Sequence, residues 1–299
     1  MKATDVALAV LVAAIWGFAF VATKIGLESF TPTQLTAIRF LVACLPILFV
    51  ARPSVSWMWL IGIGLILFAG QFLLLFFGMV HGMPPGIASV TMQTQAFFTI
   101  LIAALILRDV PTAKQLVGIG ISFLGLVLIG LSVGADLTYL GLGLTLGGAL
   151  SWAVGNVLVK RIGNVDMLSL VVWASLVPPL PALAVSALID DQASLVTAVA
   201  NASWMSIWSA LYLGLVATVF AYAIWGKLLR DYSTALVVPF ALLAPCAGAV
   251  SSAIVFGERF GTLRSAGMGL ILIGLVLTVV SPKTLAFLRA AVRRRRSGR

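Results

Sequence analysis

Amide and hydroxyl side chains are concentrated in one stretch of an otherwise apolar chain, between residues 84 and 107. Ser89 and Gln93 lie four residues apart, and so do Thr91 and Gln95, so in a helix the two pairs occupy two different faces. A membrane-spanning helix that is polar on two faces is poorly suited to facing lipid. We therefore expect it to be surrounded by protein or to line a cavity. The alternative is that these groups only hold helices together.

Other apolar segments carry further candidate binding residues. Gln71 stands alone in the apolar run 65–77, which favours an inward-facing position. Trp16 and Trp152 lie well inside their segments, away from the ends where tryptophan is common at membrane interfaces. We interpret them as cavity wall, with packing beside Gly17 as the alternative. The complete set of candidate binding residues is Trp16, Gln71, Gln93, Gln95, Trp152, Asn156, Tyr212 and Tyr222.

The chain lacks the residue groupings that enzymes and metal sites need. None of its nine acidic residues lies at the middle of an apolar segment, and there is no phosphate-binding glycine loop or histidine cluster. His81 is the only histidine, with no second metal ligand nearby, so we interpret it as a surface or gate residue. Cys44 and Cys246 both fall in apolar segments, which argues against a disulfide. We predict no metal and no cofactor; a membrane enzyme and a receptor or scaffold are the less favoured alternatives.

The composition is that of an integral membrane protein. The 299 residues are 62% hydrophobic and 9% charged, whereas soluble domains carry about 25% charged residues. Ten segments are each able to cross a bilayer core of roughly 30 Å. They are Asp5–Thr23, Thr33–Ala51, Trp57–Val80, Pro84–Leu107, Lys114–Ser132, Leu137–Val159, Met167–Ile189, Met205–Leu229, Ser233–Phe256 and Thr262–Ser281. The predicted fold is all-α, with ten transmembrane helices in a lipid bilayer.

The distribution of Lys and Arg predicts that both termini are cytoplasmic. In this orientation, and without the C-terminal tail, eight basic residues lie on the cytoplasmic side against Lys24, Arg259 and Arg264 on the other. A net charge of +10 would favour nucleic acid as the partner of a soluble protein. Here the basic tail 282–299 suits anionic lipid headgroups instead. We predict no nucleic-acid partner and leave the oligomeric state open.

The two halves of the chain resemble each other. Asp109, Gly118, Gly120 and Gly125 are matched by Glu258, Gly267, Gly269 and Gly274, each 149 residues later. Each half holds five predicted spans, an odd number, so the second half must insert upside down relative to the first, as in many secondary transporters. We predict a first repeat at 1–132, a loop at 133–138, a second repeat at 139–281 and the tail beyond it.

Several motifs make the chain similar to a known family. They are Trp16-Gly17 with Lys24, Arg39-Phe40, Gln93-Thr-Gln-Ala-Phe-Phe-Thr-Ile, Tyr222-Ala-Ile-Trp-Gly226, and the acidic Asp109 and Glu258 before glycine-rich spans. Together they resemble the drug/metabolite transporter superfamily, EamA type, over essentially the whole chain. The resemblance implies ten helices in two inverted five-helix repeats around a central cavity built mainly by spans 1, 3, 4, 6, 8 and 9. It also implies export from the cytoplasm across a bacterial inner membrane.

The resemblance further implies the class of substrate. This is a small molecule, either an amino acid or a related metabolite such as cysteine or O-acetylserine, moved by alternating access. Aromatic amino acids, or drugs and other metabolites, are the alternatives within the superfamily. We expect Gln71, Gln93 and Gln95 to contact the ammonium and carboxylate groups. No mid-span carboxylate is available for proton exchange, which favours a facilitator, or proton coupling through other groups.

Arg39, His81, Pro239 and Pro245 are interpreted as gating or structural residues. Arg39 is costly at membrane depth unless it is paired or reaches the outer surface, so anchoring is favoured over substrate contact. Pro239 and Pro245 are candidate bending points. The family often has a proline where this chain has Ala96, the counterpart of Pro245, so we expect unequal bending in the two halves.

Overall fold

The structure is a computed structural model, and it describes residues 1–107, 111–134, 136–163, 165–190, 194–232 and 234–279. Throughout these ranges the regular elements are helices and none is a strand, so the all-α class is confirmed. The helices are α1 Ala3–Gly26, α2 Pro32–Leu48, α3 Trp57–Val80, α4 Pro85–Ile106, α5 Ala113–Leu131, α6 Tyr139–Ile162, α7 Met167–Ile189, α8 Leu195–Asn201, α9 Trp204–Asp231, α10 Thr234–Ala241, α11 Leu243–Phe256 and α12 Thr262–Val279. Asp109 and the basic tail lie outside the described residues.

Eight stretches of helix are long and apolar enough to cross a membrane. They are α1, α3, α4, α5, α6, α7, α9 and the stretch Pro239–Phe256 of α10 and α11. Two shorter apolar helices, Pro32–Leu48 and Thr262–Thr278, fall where the second and tenth spans are predicted. The ten-span topology and the cytoplasmic termini remain predictions. The short helix α8, which starts at an N-cap hydrogen bond from the Thr197 amide to Ser194, was not predicted.

Glycines bring α5 and α12 into close backbone contact. A Cβ atom at Gly125 would lie 2.5 Å from the carbonyl oxygen of Gly267, and one at Gly267 would lie 2.7 Å from the carbonyl oxygen of Gly125. Gly118 faces Gly274 in the same way, with 2.8 Å between such a Cβ atom and the carbonyl oxygen. Small residues allow helices in membranes to approach this closely. Because each glycine faces the counterpart of another, the packing has the pattern of a two-fold interface.

Four helix irregularities lie near the middle of the molecule. Wide turns of the i→i+5 type occur in α3 at Gly64–Gly70 and in α9 at Tyr212–Phe220. The helix α4 tightens to a 3₁₀ turn at Met92–Thr94, and the chain breaks at Leu242 between α10 and α11. The two wide turns lie 149 residues apart in the sequence, to within one residue, and so do the 3₁₀ turn of α4 and the break at Leu242. Irregular turns of this kind recur at functional sites, and they interrupt helices where transporters bind their substrates.

Side chains of neighbouring helices satisfy the carbonyl groups of the two wide turns. Ser151 of α6 donates a hydrogen bond of 2.6 Å to the carbonyl oxygen of Ile66 in α3. The indole nitrogen of Trp16 in α1 donates one of 3.0 Å to the carbonyl oxygen of Ala217 in α9. A buried carbonyl without a partner is costly, so these bonds stabilise the widened geometry. The first helix of each predicted repeat thus supports the third helix of the other.

Prolines flank the break between α10 and α11. Pro239 lies inside α10 and Pro245 in the first turn of α11, where its missing amide hydrogen costs nothing. The α4 helix, with Ala96 at the corresponding place, runs on through its 3₁₀ turn. The interruption is therefore more complete in the half that carries the prolines.

The acidic residue Glu258 caps a helix and forms no ion pair with a base in the described part of the chain. One of its carboxylate oxygens accepts a hydrogen bond of 2.9 Å from the Gly86 amide at the start of α4, and another from the Ser252 hydroxyl. A carboxylate at a helix N-terminus is favourable because it faces unpaired amides and the positive end of the dipole. The base Arg264 binds Asp136 of the loop before α6 instead.

Candidate functional site

A cavity of about 180 Å³ lies between the irregular parts of the helices. Its walls come from α1, α2, α3, α4, α6, α9, α10 and α11. Six of the eight candidate binding residues line it: Trp16, Gln71, Gln93, Gln95, Trp152 and Tyr222. Asn156 and Tyr212 do not. The family resemblance pointed to spans 1, 3, 4, 6, 8 and 9, and the structure adds the second span through Arg39 and Phe40.

The side-chain amides of the cavity glutamines have hydrogen-bond donors and acceptors that are not paired with any of the described residues. Gln71 is 6% exposed, and its side chain has no hydrogen-bond partner among the described residues. Within the ranges that the structure describes, the Gln93 side chain donates one hydrogen bond, to the carbonyl oxygen of Ser89 at 3.5 Å. An amide side chain offers two donors and an acceptor with two lone pairs. Buried polar groups are normally satisfied, so these free donors and acceptors are available to a bound molecule.

Asn156 lies behind Gln95 and orients it. The Asn156 amide nitrogen donates a hydrogen bond of 2.7 Å to the Gln95 side-chain oxygen. The Thr99 hydroxyl donates a hydrogen bond of 2.7 Å to the Gln95 main-chain oxygen. With its oxygen occupied, Gln95 turns its amide NH₂ group to other partners, and none is present among the described residues. Asn156 thus contacts a residue of the cavity lining without lining the cavity itself, and its binding role stays a prediction.

Aromatic rings form most of the apolar wall. The Trp16 ring packs against Tyr222 at 5.4 Å between centroids and against Trp225 at 5.1 Å. On the other side, Phe40 packs against Phe68 at 5.2 Å and against Phe72 at 5.5 Å. Such tilted and edge-on pairs hold the rings in defined positions. Trp16 contributes a ring to the cavity while the adjacent Gly17 packs α1 against Ala244 of α11, so both interpretations of this dipeptide describe part of the structure.

Arg39 lies in the cavity wall, where the sequence had favoured a purely anchoring residue. It is 6% exposed, so its side chain does not reach the outer surface. Its guanidinium lies 3.8 Å from the centroid of the Phe72 ring and donates a hydrogen bond of 3.2 Å from Nη2 to the Thr218 hydroxyl. In the described part of the chain it forms no ion pair with a carboxylate, and its Nε atom has no hydrogen-bond partner.

Tyr212 and His81 lie away from the cavity lining. The Tyr212 hydroxyl donates a hydrogen bond of 2.8 Å to the Ile15 carbonyl oxygen, which joins the start of the wide turn in α9 to α1. His81 is exposed at the end of α3, and its Nδ1 bonds the Phe77 carbonyl oxygen at 2.8 Å. Among the described residues, no group of three His, Cys, Asp or Glu side chains could hold a metal ion.

Comparisons with known proteins agree on one family. The model of the EamA-like transporter family matches residues 4–131 and 139–280. A "probable amino-acid metabolite efflux pump" of Escherichia coli (strain K12) is 40% identical over 286 residues, which cover 93% of this chain and 96% of that protein. An "uncharacterized inner membrane transporter" of the same organism is 27% identical, over 89% of this chain and 87% of that protein.

A protein of known crystal structure has the same fold. Its TM-score with this chain is 0.64, and the match covers 95% of this chain and 99% of the other. The two sequences are 16% identical. At this identity the likeness concerns the fold alone.

Proposed function

The chain belongs to the EamA-like transporter family and is a multi-pass inner-membrane transporter, and from this we propose that it exports amino acids and related small metabolites through the central cavity. The substrate class draws on the 40% identical relative, whose name is that of an amino-acid metabolite efflux pump. Cysteine and O-acetylserine are examples of this proposed substrate class. A transporter moves its substrate unchanged, so no catalysis is proposed.

One observation carries the proposal. Amide groups of Gln71, Gln93 and Gln95 with unused donors and acceptors lie in a cavity whose remaining wall is rich in aromatic rings. Binding sites for small molecules have this composition, with a few placed polar groups on an apolar wall. The volume of about 180 Å³ is below the roughly 300–1,000 Å³ of pockets for drug-sized ligands. The size favours a small metabolite.

Alternating access between two inverted five-helix repeats is the proposed mechanism. The paired glycines of α5 and α12 and the corresponding irregularities in the two halves support an internal two-fold relation. In transporters of this kind the two repeats rearrange around a fixed central site. Helix ends that meet at Leu242 and at the wide turns are natural bending points, because fewer regular backbone hydrogen bonds must be distorted there.

Export of aromatic amino acids is the second candidate function. The observation that favours it is the ring surface of Trp16, Trp152 and Tyr222 in the same cavity as the glutamines. Rings of a substrate would pack against these faces in offset or edge-on geometry. For either substrate we propose facilitated movement without proton exchange on a buried carboxylate.

Counterflow in proteoliposomes tests these proposals. Labelled cysteine, O-acetylserine, threonine, phenylalanine and tryptophan are offered to vesicles loaded with the same unlabelled compound, with and without a pH gradient. Exchange of the small polar compounds supports the first function, and exchange of only the aromatic ones replaces it with the second. No exchange of any of them contradicts both. Uphill movement that disappears when the proton gradient is collapsed contradicts the facilitator.

A further inference from the structure

We propose that Arg39 is the carboxylate anchor of the cavity, and that the substrate is recognised by its carboxylate while its α-amino group is dispensable. The inference rests on the proposed function in that it concerns the same cavity. It defines the substrate class as small monocarboxylates, which includes amino acids together with their 2-hydroxy analogues. Esters of the same compounds, and amines without the carboxylate, are excluded.

The first argument is the uncompensated charge of Arg39. The residue is buried, and no carboxylate of the described chain pairs with it. A guanidinium has five N–H donors; one is used on Thr218, and the buried Nε has no partner. Burying a charge without a counter-ion is expensive. An anionic group entering the cavity supplies the missing partner and the missing hydrogen-bond acceptors.

The second argument is that Arg39 is held in place for such a partner. Its guanidinium stacks on Phe72 at 3.8 Å and lies 5.4 Å from the Phe40 ring centroid. The Thr218 hydroxyl donates its own hydrogen to the Leu213 carbonyl oxygen at 2.8 Å, so towards Arg39 it can only accept. Arginine presents a planar fork that matches a carboxylate with two parallel hydrogen bonds. A fixed fork loses little entropy when it binds.

The backbone of α2 is also fixed at this level. Gly214 of α9 lies so close that a Cβ atom there would be 2.7 Å from the Arg39 carbonyl oxygen. The wide turn Tyr212–Phe220 therefore serves two purposes at once. It brings Thr218 to the guanidinium and lets α2 approach α9 closely.

The third argument is the asymmetry of the cavity. None of the described residues that line it is Asp or Glu, so among them the ammonium group of an amino acid finds no opposite charge. It meets the neutral amides of Gln71, Gln93 and Gln95 and the ring faces of Trp16 and Tyr222. A hydroxyl group is served by the same amides, because they donate as well as accept. The carboxylate alone has a charged partner and therefore dominates recognition.

A matched series of probes tests the inference on the unaltered protein. L-serine, glycerate, serine methyl ester and ethanolamine differ only in the amino or the carboxylate group. Two readouts are taken: competition with labelled cysteine in counterflow, and the rise in unfolding temperature of the purified protein in detergent. We expect glycerate to act within about 3-fold of serine, and the ester and ethanolamine to be about 10- to 100-fold weaker, the range for a lost charged hydrogen bond.

Variants test whether the preference for the carboxylate depends on Arg39. Arg39→Gln is expected to remove the difference between serine and its methyl ester, and Arg39→Lys to retain part of it. Arg52→Gln is the control, because Arg52 also lies over a ring, that of Trp57, but outside the cavity. If Arg39→Gln does not fold, the probe series on the unaltered protein still decides.

The outcomes separate this inference from the proposed function. Equal action of the ester and the acid overturns the inference and leaves amino-acid export standing. A requirement for the amino group, with glycerate inactive, also overturns it. Thermal stabilisation by serine and glycerate that is lost in Arg39→Gln supports it even where no amino acid is exchanged, which contradicts only the proposed export. No stabilisation and no competition by any probe overturns it.

Discussion

The hydroxyl of Ser122 in α5 donates its hydrogen bond to the carbonyl oxygen of Ile271 in α12, at 3.3 Å. Ile271 is the residue 149 positions further along the chain, and so it is the counterpart of Ser122 itself. A residue that contacts its own counterpart lies on the axis of a two-fold interface. The glycine pairs Gly118 with Gly274 and Gly125 with Gly267 lie on either side of this bond.

The glycine pairs predict matched losses of stability in the two halves. Gly125→Ala and Gly267→Ala each place a Cβ atom against backbone of the opposite helix, and overpacking of this kind costs about 1–3 kcal/mol. We expect both variants to lower the unfolding temperature in detergent by similar amounts. Gly120→Ala and Gly269→Ala are the controls, since nothing lies within 4 Å of a Cβ atom at either site. Equal behaviour of the controls and the test variants would contradict the packing described.

Gln71 predicts a loss of affinity without a loss of stability. Gln71→Met keeps the volume but removes the free donors and acceptors from the cavity. Neutral hydrogen bonds contribute about 0.5–1.5 kcal/mol, so we expect the half-saturation concentration in counterflow to rise about 2- to 10-fold. Gln115→Met makes the same exchange at the start of α5, where Gln115 and Thr112 form a capping box. That control is expected to change the unfolding temperature and leave the half-saturation concentration unaltered.

Asn156 predicts an effect through its neighbour. Asn156→Leu removes the hydrogen bond that holds the Gln95 side-chain oxygen. We expect weaker substrate binding, and we expect the double variant with Gln95→Met to bind no more weakly than Gln95→Met alone. Half-saturation concentrations for the four proteins form the cycle that measures this coupling. Additive losses would show that Asn156 acts independently of Gln95.

Trp16 predicts a loss in both stability and transport. Trp16→Phe keeps a ring in the cavity but leaves the Ala217 carbonyl oxygen without its donor, which costs about 1–3 kcal/mol for a buried group. The expected result is a lower unfolding temperature together with slower counterflow. Trp204→Phe is the matched control because Trp204 is 67% exposed. A variant Trp16→Phe as stable as the control would show that the wide turn of α9 does not depend on this bond.

Asp136 predicts a pH dependence of stability. The hydrogen bond from Arg264 lowers the pKa of the Asp136 carboxyl below its ordinary value of 3.8. A lowered pKa in the folded state stabilises the protein above about pH 3.8, and this contribution is lost as the pH falls through the folded-state value.

We therefore expect Asp136→Asn to be less stable than the unaltered protein at neutral pH, by under about 1 kcal/mol because the Asp136 side chain is 58% exposed. The difference should shrink as unfolding temperatures are measured from pH 6 towards pH 3. A difference that is constant over this range would contradict an ionic origin.

The hydropathy pattern and the position of single polar residues predicted much of the site. Gln71 was expected to face inward because a lone amide in an apolar run is unfavourable against lipid, and it lines the cavity. Tyr212 and Tyr222 could not be told apart in this way. The wide turn that begins at Tyr212 changes the rotation per residue of α9, so the spacing of a regular helix does not give the direction of the second ring from that of the first.

The surroundings of Arg39 and Glu258 could not be predicted, for a different reason. By general rules, a cation within a membrane needs a carboxylate partner or a path to the surface. The guanidinium of Arg39 instead lies over the ring of Phe72 in α3, a contact that the sequence of α2 does not reveal. Likewise, Glu258 caps α4 because the fold brings together residues 172 positions apart. Contacts between distant segments decide both cases, and no local pattern carries them.

The exchange of hydrogen bonds between α1 and α9 and between α6 and α3 has a consequence for synthesis. Ile66 is synthesised long before Ser151, which donates the hydrogen bond to its carbonyl oxygen. The interval between the synthesis of Trp16 and that of its acceptor Ala217 is longer still. The helices α1–α5 therefore leave the ribosome as an unfinished structure. The Ile66 carbonyl and the Trp16 indole gain these partners only when the second half of the chain has entered the membrane, and a truncated chain of α1–α5 alone lacks the donor for α3 and the acceptor for Trp16.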